Sequence, residues 1–163
     1  RGVDSRSTRR AMKLVRSRLE LLAERLRGRA RLVLTADHGQ IDIPPSRQTQ
    51  LQNGDPLLAL LRAPPSCEPR VPAFHVREEK RPAFEAMFRD RFGGRFVLLA
   101  VAEADGLRLF GPEALSAETR ARLGDYVGIA LAADTLSLPP DTPMIGVHGG
   151  LLPDEVRVPL VLV

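Results

Sequence analysis

Residues 31–40 read RLVLTADHGQ, a run of strand-forming apolar residues that halts at Thr35-Ala36-Asp37-His38-Gly39. In open α/β sheets ligands collect at the carboxyl ends of strands, and this strand ends with a carboxylate and an imidazole side by side. Neighbours on a regular strand point to opposite faces. At an end that turns, both can address one cation, and a hard oxygen beside a borderline nitrogen is a mixture that Zn²⁺ or Mn²⁺ accepts. Gly39 lets the backbone turn sharply or come close to a bound group. The spacing leaves a second reading equally open, in which Asp37 caps the next segment and His38 is merely hydrogen-bonded.

Working outward, residues 5–27 carry Met12, Val15, Leu19, Leu22 and Leu26 at steps of three and four. That spacing predicts one amphipathic helix, capped by Ser5 or Ser7 and ended by Gly28, with its stripe docked on a sheet. After the Asp-His-Gly stretch, Ile41-Asp42-Ile43 is a short extended piece, residues 46–53 are loop, and Asp55-Pro56 opens a helix to about Arg62. Ala63-Pro64-Pro65-Ser66 is a break. Beyond it, strand 71–77, helix 78–92, a Gly93-Gly94 turn and strand 95–101 form a βαβ-like unit. Ser116–Leu123 reads as a helix, and Tyr126–Leu131 and Thr135–Leu138 as extended. The end, residues 146–163, reads GVHGGLLPDEVRVPLVLV. It offers His148 between glycines, a helical turn at Pro153-Asp154-Glu155, and a final strand Val158–Val163 whose unbroken apolar run suits burial on both faces.

The composition, 44% hydrophobic and 27% charged, is that of a folded chain rather than a disordered one. The lone Cys67 excludes an internal disulfide and suits a reducing, cytoplasmic compartment. No apolar stretch reaches the length of a membrane span. The net charge of +4 is uneven: residues 1–31 balance at +8 and the remainder at −4. The basic helix is a candidate module for acidic partners, including nucleic acid. It has no aromatic residue on which bases can stack, which argues against nucleic acid.

Three histidines are present. Alternation places His75 with Arg77 outward and Phe74 with Val76 inward, a surface strand position. His38 closes a strand, and His148 is exposed by its flanking glycines, so these two are the candidate metal ligands. By themselves they are too few for a tight site.

TADHGQ, followed far downstream by GVHGGLLPDEVRVPLVLV, resembles the carboxyl-terminal half of the nucleotide pyrophosphatase/phosphodiesterase family of the alkaline phosphatase superfamily. Asp37-His38-Gly39 matches that family's Asp-His-Gly motif. His148-Gly149-Gly150-Leu151, Pro153-Asp154-Glu155 and Val158-Pro159-Leu160 match its closing motif, and Gly2-Val3-Asp4-Ser5 is similar to its Gly-Pro-Asp-Ser stretch, with Val3 in place of proline. The resemblance implies that Asp37 and His38 help hold one ion of a two-metal centre, Zn or Mn, and that His148 helps hold the other. Such ions, about 4 Å apart, clamp the attacking and leaving oxygens of phosphoryl transfer. It also implies a Thr or Ser nucleophile, which no residue of this chain supplies, because in the family that residue and the remaining ligands lie upstream of the Gly-Pro-Asp-Ser stretch.

The expected fold is therefore α/β, a mostly parallel sheet flanked by helices, alkaline-phosphatase-like in part, with an inserted small α+β subdomain. Residues 1–65 would carry the long helix and the Asp-His-Gly motif, 66–133 the insertion bordering the substrate cleft, and 134–163 the His-Gly-Gly motif and final strand. The expected function is that of a carboxyl-terminal fragment of a phosphodiesterase or nucleotide pyrophosphatase. It would be inactive alone, with the missing amino-terminal half as its partner and a phosphate ester or nucleotide as substrate. The alternative is the non-catalytic module that uses the Arg-rich helix.

Overall fold

The computed structural model describes residues 2–139 and 144–163; residues 1 and 140–143, which fall within the first and last expected segments, lie outside the described residues. The chain begins with α1 (Arg6–Leu26), whose N-cap Ser5 accepts the Thr8 N–H at 3.2 Å. The helix ends before Gly28, which takes a left-handed φ of +73°. Then come β1 (Val33–Leu34), β2 (Ile41–Asp42) and β3 (Gln48–Gln50), the last in a stretch expected to be loop. A 3₁₀ turn at Leu58–Leu60 stands where a longer helix was expected. Strands β4 (Ser66–Glu68) and β5 (Val71–Phe74) precede α2 (Arg81–Phe92) and β6 (Phe96–Ala100). The chain continues through α3 (Val101–Gly106), α4 (Ala117–Leu123), β7 (Tyr126–Ala130) and β8 (Thr135–Ser137). It closes with β9 (Gly146–Val147), α5 (Pro153–Val156) and β10 (Val161–Leu162). No helix is long and apolar enough to cross a membrane among these residues.

The fold is mixed α/β, but the mostly parallel sheet is not what forms. Among the described residues only β3 and β8 pair in parallel. The widest sheet is four-stranded, in the order β4-β5-β7-β6, and antiparallel throughout. The reason lies in the βαβ unit: α2 carries the chain from β5 to β6, which run the same way, but β7 enters between them and satisfies both edges. The expected crossover is a split one. On one face of this sheet the α2 residues Phe84, Phe88 and Phe92, spaced four apart, meet Phe74, Phe96 and Tyr126 in one buried aromatic cluster. On the other face Val101, Ala104 and Leu123 cover Ala73 and Val127.

The outer elements are thinner. β1 and β10 pair antiparallel over two residues, extended by the Leu32–Val163 hydrogen bonds. The final strand is not buried on both faces: Leu160 and Leu162 are 68% and 69% exposed. Nor is the helical stripe docked, because α1 buries no residue, and Met12, Val15 and Leu22 are exposed. Between α1 and the β1–β10 pair lies an open apolar hollow of about 1080 Å³, lined by Leu19, Leu26, Leu34 and Val161 among others. Most of the buried apolar side chains lie within residues 51–136, whereas those of α1 and β10 are at most half-buried among the described residues.

Candidate metal-site histidines

His38 and His148 are brought together by backbone pairing. β2 begins three residues after His38, β9 ends one residue before His148, and the two strands pair antiparallel with Ile41 opposite Val147. Continued by one step, that register sets Gln40 opposite His148, so the two motif loops leave the pair at the same end. The imidazoles stack with centroids 3.8 Å apart and planes 17° from parallel. His38 Nδ1 lies 2.7 Å from the Gly39 carbonyl oxygen. A carbonyl can only accept, so Nδ1 carries a proton, and in the neutral ring the lone pair is then on Nε2, the arrangement that orients a metal-ligating histidine. Asp37 stands beside them: Oδ1 accepts the His38 N–H at 3.1 Å, Oδ2 is 3.7 Å from His38 Nε2, and its side chain is 89% exposed. His75 is elsewhere, half-buried after β5, its Nε2 donating to the Arg122 carbonyl at 3.2 Å.

The donors suit a borderline divalent cation in type. They do not form a closed cage, since among the described residues no three His, Cys, Asp or Glu side chains gather closely enough to hold an ion.

The glycines of both motifs have a packing reason that the sequence reading did not find. At Gly39, expected to let the backbone turn sharply or come close to a bound group, a Cβ would fall on the Asp154 carbonyl oxygen and 2.9 Å from its carbon. The Gly39 N–H donates to the Glu155 carbonyl at 2.7 Å. At Gly150 a Cβ would lie 2.6 Å from both Arg70 Nη2 and Glu155 Oε2. Gly149 adopts φ +99° with the Glu68 side chain 2.7 Å from where a Cβ would stand.

Buried charged residues were also missed, Arg70, Glu155 and Asp134 among them. Arg70, between β4 and β5, and Glu155 in α5 form a two-pronged ion pair with Nε–Oε1 2.8 Å, Nη2–Oε2 2.5 Å and side chains 0% and 1% exposed. Burial pushes the Glu155 carboxyl up, but the Arg70 hydrogen bonds, the Gly150 N–H and the Arg70 charge outweigh it and hold it below its ordinary value. Asp134 is wholly buried, with Arg47 Nη2 at 2.9 Å and Arg95 Nε at 2.8 Å. One signal was available: an acid three residues into a turn opened by Pro153 is placed to reach back to its N-cap, and Glu155 Oε2 does accept the Leu152 N–H at 3.3 Å.

Solved structures share this mixed α/β fold. Human ectonucleotide pyrophosphatase/phosphodiesterase 5 superposes with a TM-score of 0.72 at 15% identity, over 98% of this chain and 41% of that one. Its murine counterpart gives 0.67 at 17% identity, over 96% and 41%. An inactive form of the murine protein in complex with AMP gives 0.68 at 18%, over the same shares. At these identities the likeness is one of fold. The chain spans about two fifths of the length of these structures, 41% in each case. No protein-family model matches the sequence, and no curated protein does.

Proposed function

We propose that this chain is the carboxyl-terminal part of a two-metal phosphohydrolase acting on phosphate esters, with a phosphodiester or nucleotide as the substrate class. The carrying observation is the stack of His38 on His148 at 3.8 Å, formed by residues far apart in sequence. It occurs within a fold shared with ectonucleotide pyrophosphatase/phosphodiesterase 5. The AMP complex of the murine neighbour favours the nucleotide as substrate.

In this reading Asp37 and His38 hold one divalent ion and His148 the other, Zn²⁺ or Mn²⁺, with further ligands and a Thr or Ser nucleophile supplied by residues beyond these 163. When bound, such ions withdraw charge from the phosphoryl oxygens and activate the attacking group. What this chain's residues do is narrower. His38 presents Nε2 because Gly39 holds Nδ1, Asp37 presents an exposed carboxylate, and the β2–β9 pair brings the two histidine loops to the same end. The Val3 N–H donates to Asp42 Oδ1 at 2.7 Å, so residues preceding Gly2 in a longer protein would enter beside this strand pair. Such a protein would also cover the apolar hollow along α1.

The test is calorimetric titration of the chain with Zn²⁺ and Mn²⁺ beside its His38→Ala and His148→Ala variants. Binding to the parent that is reversed by a chelator and weakened in both variants supports the reading. Equal binding by all three overturns it. The chain alone is expected not to turn over a phosphodiester such as bis(p-nitrophenyl) phosphate with either metal present. Binding to acidic polymers that falls steeply with salt and ignores chelators would move the function to the exposed Arg-rich helix instead.

A further inference from the structure

We infer that the buried Arg70–Glu155 pair is a positioning device that holds the His38 and His148 loops in register, an inference that rests on the metal-ligand reading of those histidines for its function but not for its geometry. Glu155 bonds to the backbone beside both. Its carbonyl accepts the Gly39 N–H, one residue after His38, at 2.7 Å. Its carboxylate accepts the Gly150 N–H, two residues after His148, at 2.8 Å. Arg70 grips that carboxylate with two nitrogens and spends a third on the Ala132 and Asp134 carbonyls, the latter at 2.9 Å. The two histidine loops are thereby referred to the four-stranded sheet, which Arg70 enters at the β4–β5 turn.

Stability alone does not account for such a pair. Removing two charges from water is unfavourable by several kcal/mol per ion, and apolar residues of similar volume serve a core as well or better. An apolar pair, however, accepts no hydrogen bond from Gly150 or Leu152. The absence of a Cβ at Gly150, where one would lie 2.6 Å from both partners, shows the pair packed flat against the loop it holds. Partners one shell out from a metal commonly set its affinity by orienting the ligands.

The experiment compares the parent chain with Arg70→Met/Glu155→Met and Arg70→Met/Glu155→Gln. Three readouts are taken: the urea unfolding midpoint, the NMR proton contact between the His38 and His148 rings, and Co²⁺ titration followed by visible absorbance. With three histidines in the chain the ring signals are assignable. The double-methionine chain is expected to keep its midpoint and lose the ring contact, with Co²⁺ affinity down about ten- to a hundredfold. The Met/Gln chain, whose carboxamide oxygen still accepts from Gly150, is expected to keep the ring contact even where its midpoint is lower. A merely structural pair would make contact and midpoint move together, so a folded double-methionine chain that keeps the stack overturns the inference. Should that chain not fold, a folded Met/Gln chain without the stack overturns it equally. A parent chain that shows the stack but takes no Co²⁺ refutes the metal reading and leaves the positioning role standing on the ring contact.

Discussion

Replacing Gly39 by alanine places one carbon where the Asp154 carbonyl oxygen already stands, 2.9 Å from the carbonyl carbon and 3.2 Å from Glu155 Cα. These are backbone atoms of a helical turn, so no rotamer change relieves them. Ordinary carbon contacts begin near 3.5 Å, so the Asp-His-Gly loop and α5 must separate by more than about 1 Å. That separation breaks the 2.7 Å bond from Gly39 N–H to the Glu155 carbonyl. Overpacking contributes about 1–3 kcal/mol and the lost hydrogen bond about 0.5–1.5 kcal/mol. The expected destabilisation is about 1.5–4.5 kcal/mol, read as a shift of the urea midpoint by circular dichroism. Gly94→Ala is the control, since nothing lies within 4 Å of a Cβ there, and it should stay within about 0.5 kcal/mol of the parent. The His38–His148 ring contact should vanish from the spectrum of Gly39→Ala alone. Equal midpoints for the two alanine variants would refute the idea that α5 occupies the space beside Gly39.

Phe88→Ala empties the centre of the aromatic cluster, where its wholly buried ring meets Phe74, Phe84, Phe92 and Phe96. It should destabilise by about 3–5 kcal/mol in the same unfolding assay, whereas Phe110→Ala, at a 42% exposed ring, should fall within about 0.5 kcal/mol. Tyr126 is the one tyrosine in a chain without tryptophan, so absorbance at alkaline pH reads it alone. Burial, then the 2.5 Å hydrogen bond to Glu85, pushes its phenol from 10.0 up to about 12, and a midpoint near 10.0 would contradict that packing. Since the folded value is the raised one, the associated stability is whole below 10.0 and is lost as pH climbs towards 12. Glu155 has the opposite sign. Its folded value is depressed below 4.5, so its contribution is whole above 4.5 and disappears as acid protonates it in the folded chain. Acid unfolding of the parent should include this component, and Arg70→Met/Glu155→Met should lack it.

What was legible in the sequence was local. Ser5, one of the two caps offered for the first helix, accepts the N–H three residues on, and Ser116 does the same at the start of the 116–123 helix, because a hydroxyl before an apolar-periodic run caps it. The strand at 71–74, the helix that follows it and the turn at Gly93-Gly94 could be read from period and punctuation alone. What failed was partner choice. A run such as PLVLV gives no sign of whether two faces, one or none will be covered, and here Leu160 and Leu162 stay open. Strand order failed for the same reason: a βαβ rhythm fixes that β5 and β6 run alike but not that β7, from later in the chain, separates them. At the candidate site the histidines could be read as a pair because glycines flank them, while no local pattern marks Arg70 as the buried partner of Glu155.

The distribution of burial explains how the site is held. Most of the wholly buried apolar side chains lie between Leu51 and Leu136, whereas His38 and His148 hang from strands of two residues each with little core of their own. Two-residue ladders contribute little cooperativity, and register in a short pair is weakly set by side-chain pattern. Something else must fix where the imidazoles stand. Ile43, wholly buried, anchors one side through its N–H to the Ile145 carbonyl at 2.8 Å. Glu155 anchors the other, reaching Gly39 and Gly150 at once and handing both to Arg70 on the sheet. A site built this way gets its precision from a few buried polar contacts rather than from apolar packing, so single substitutions at Gly39, Gly150, Arg70 or Glu155 should displace the histidines well before they unfold the aromatic core.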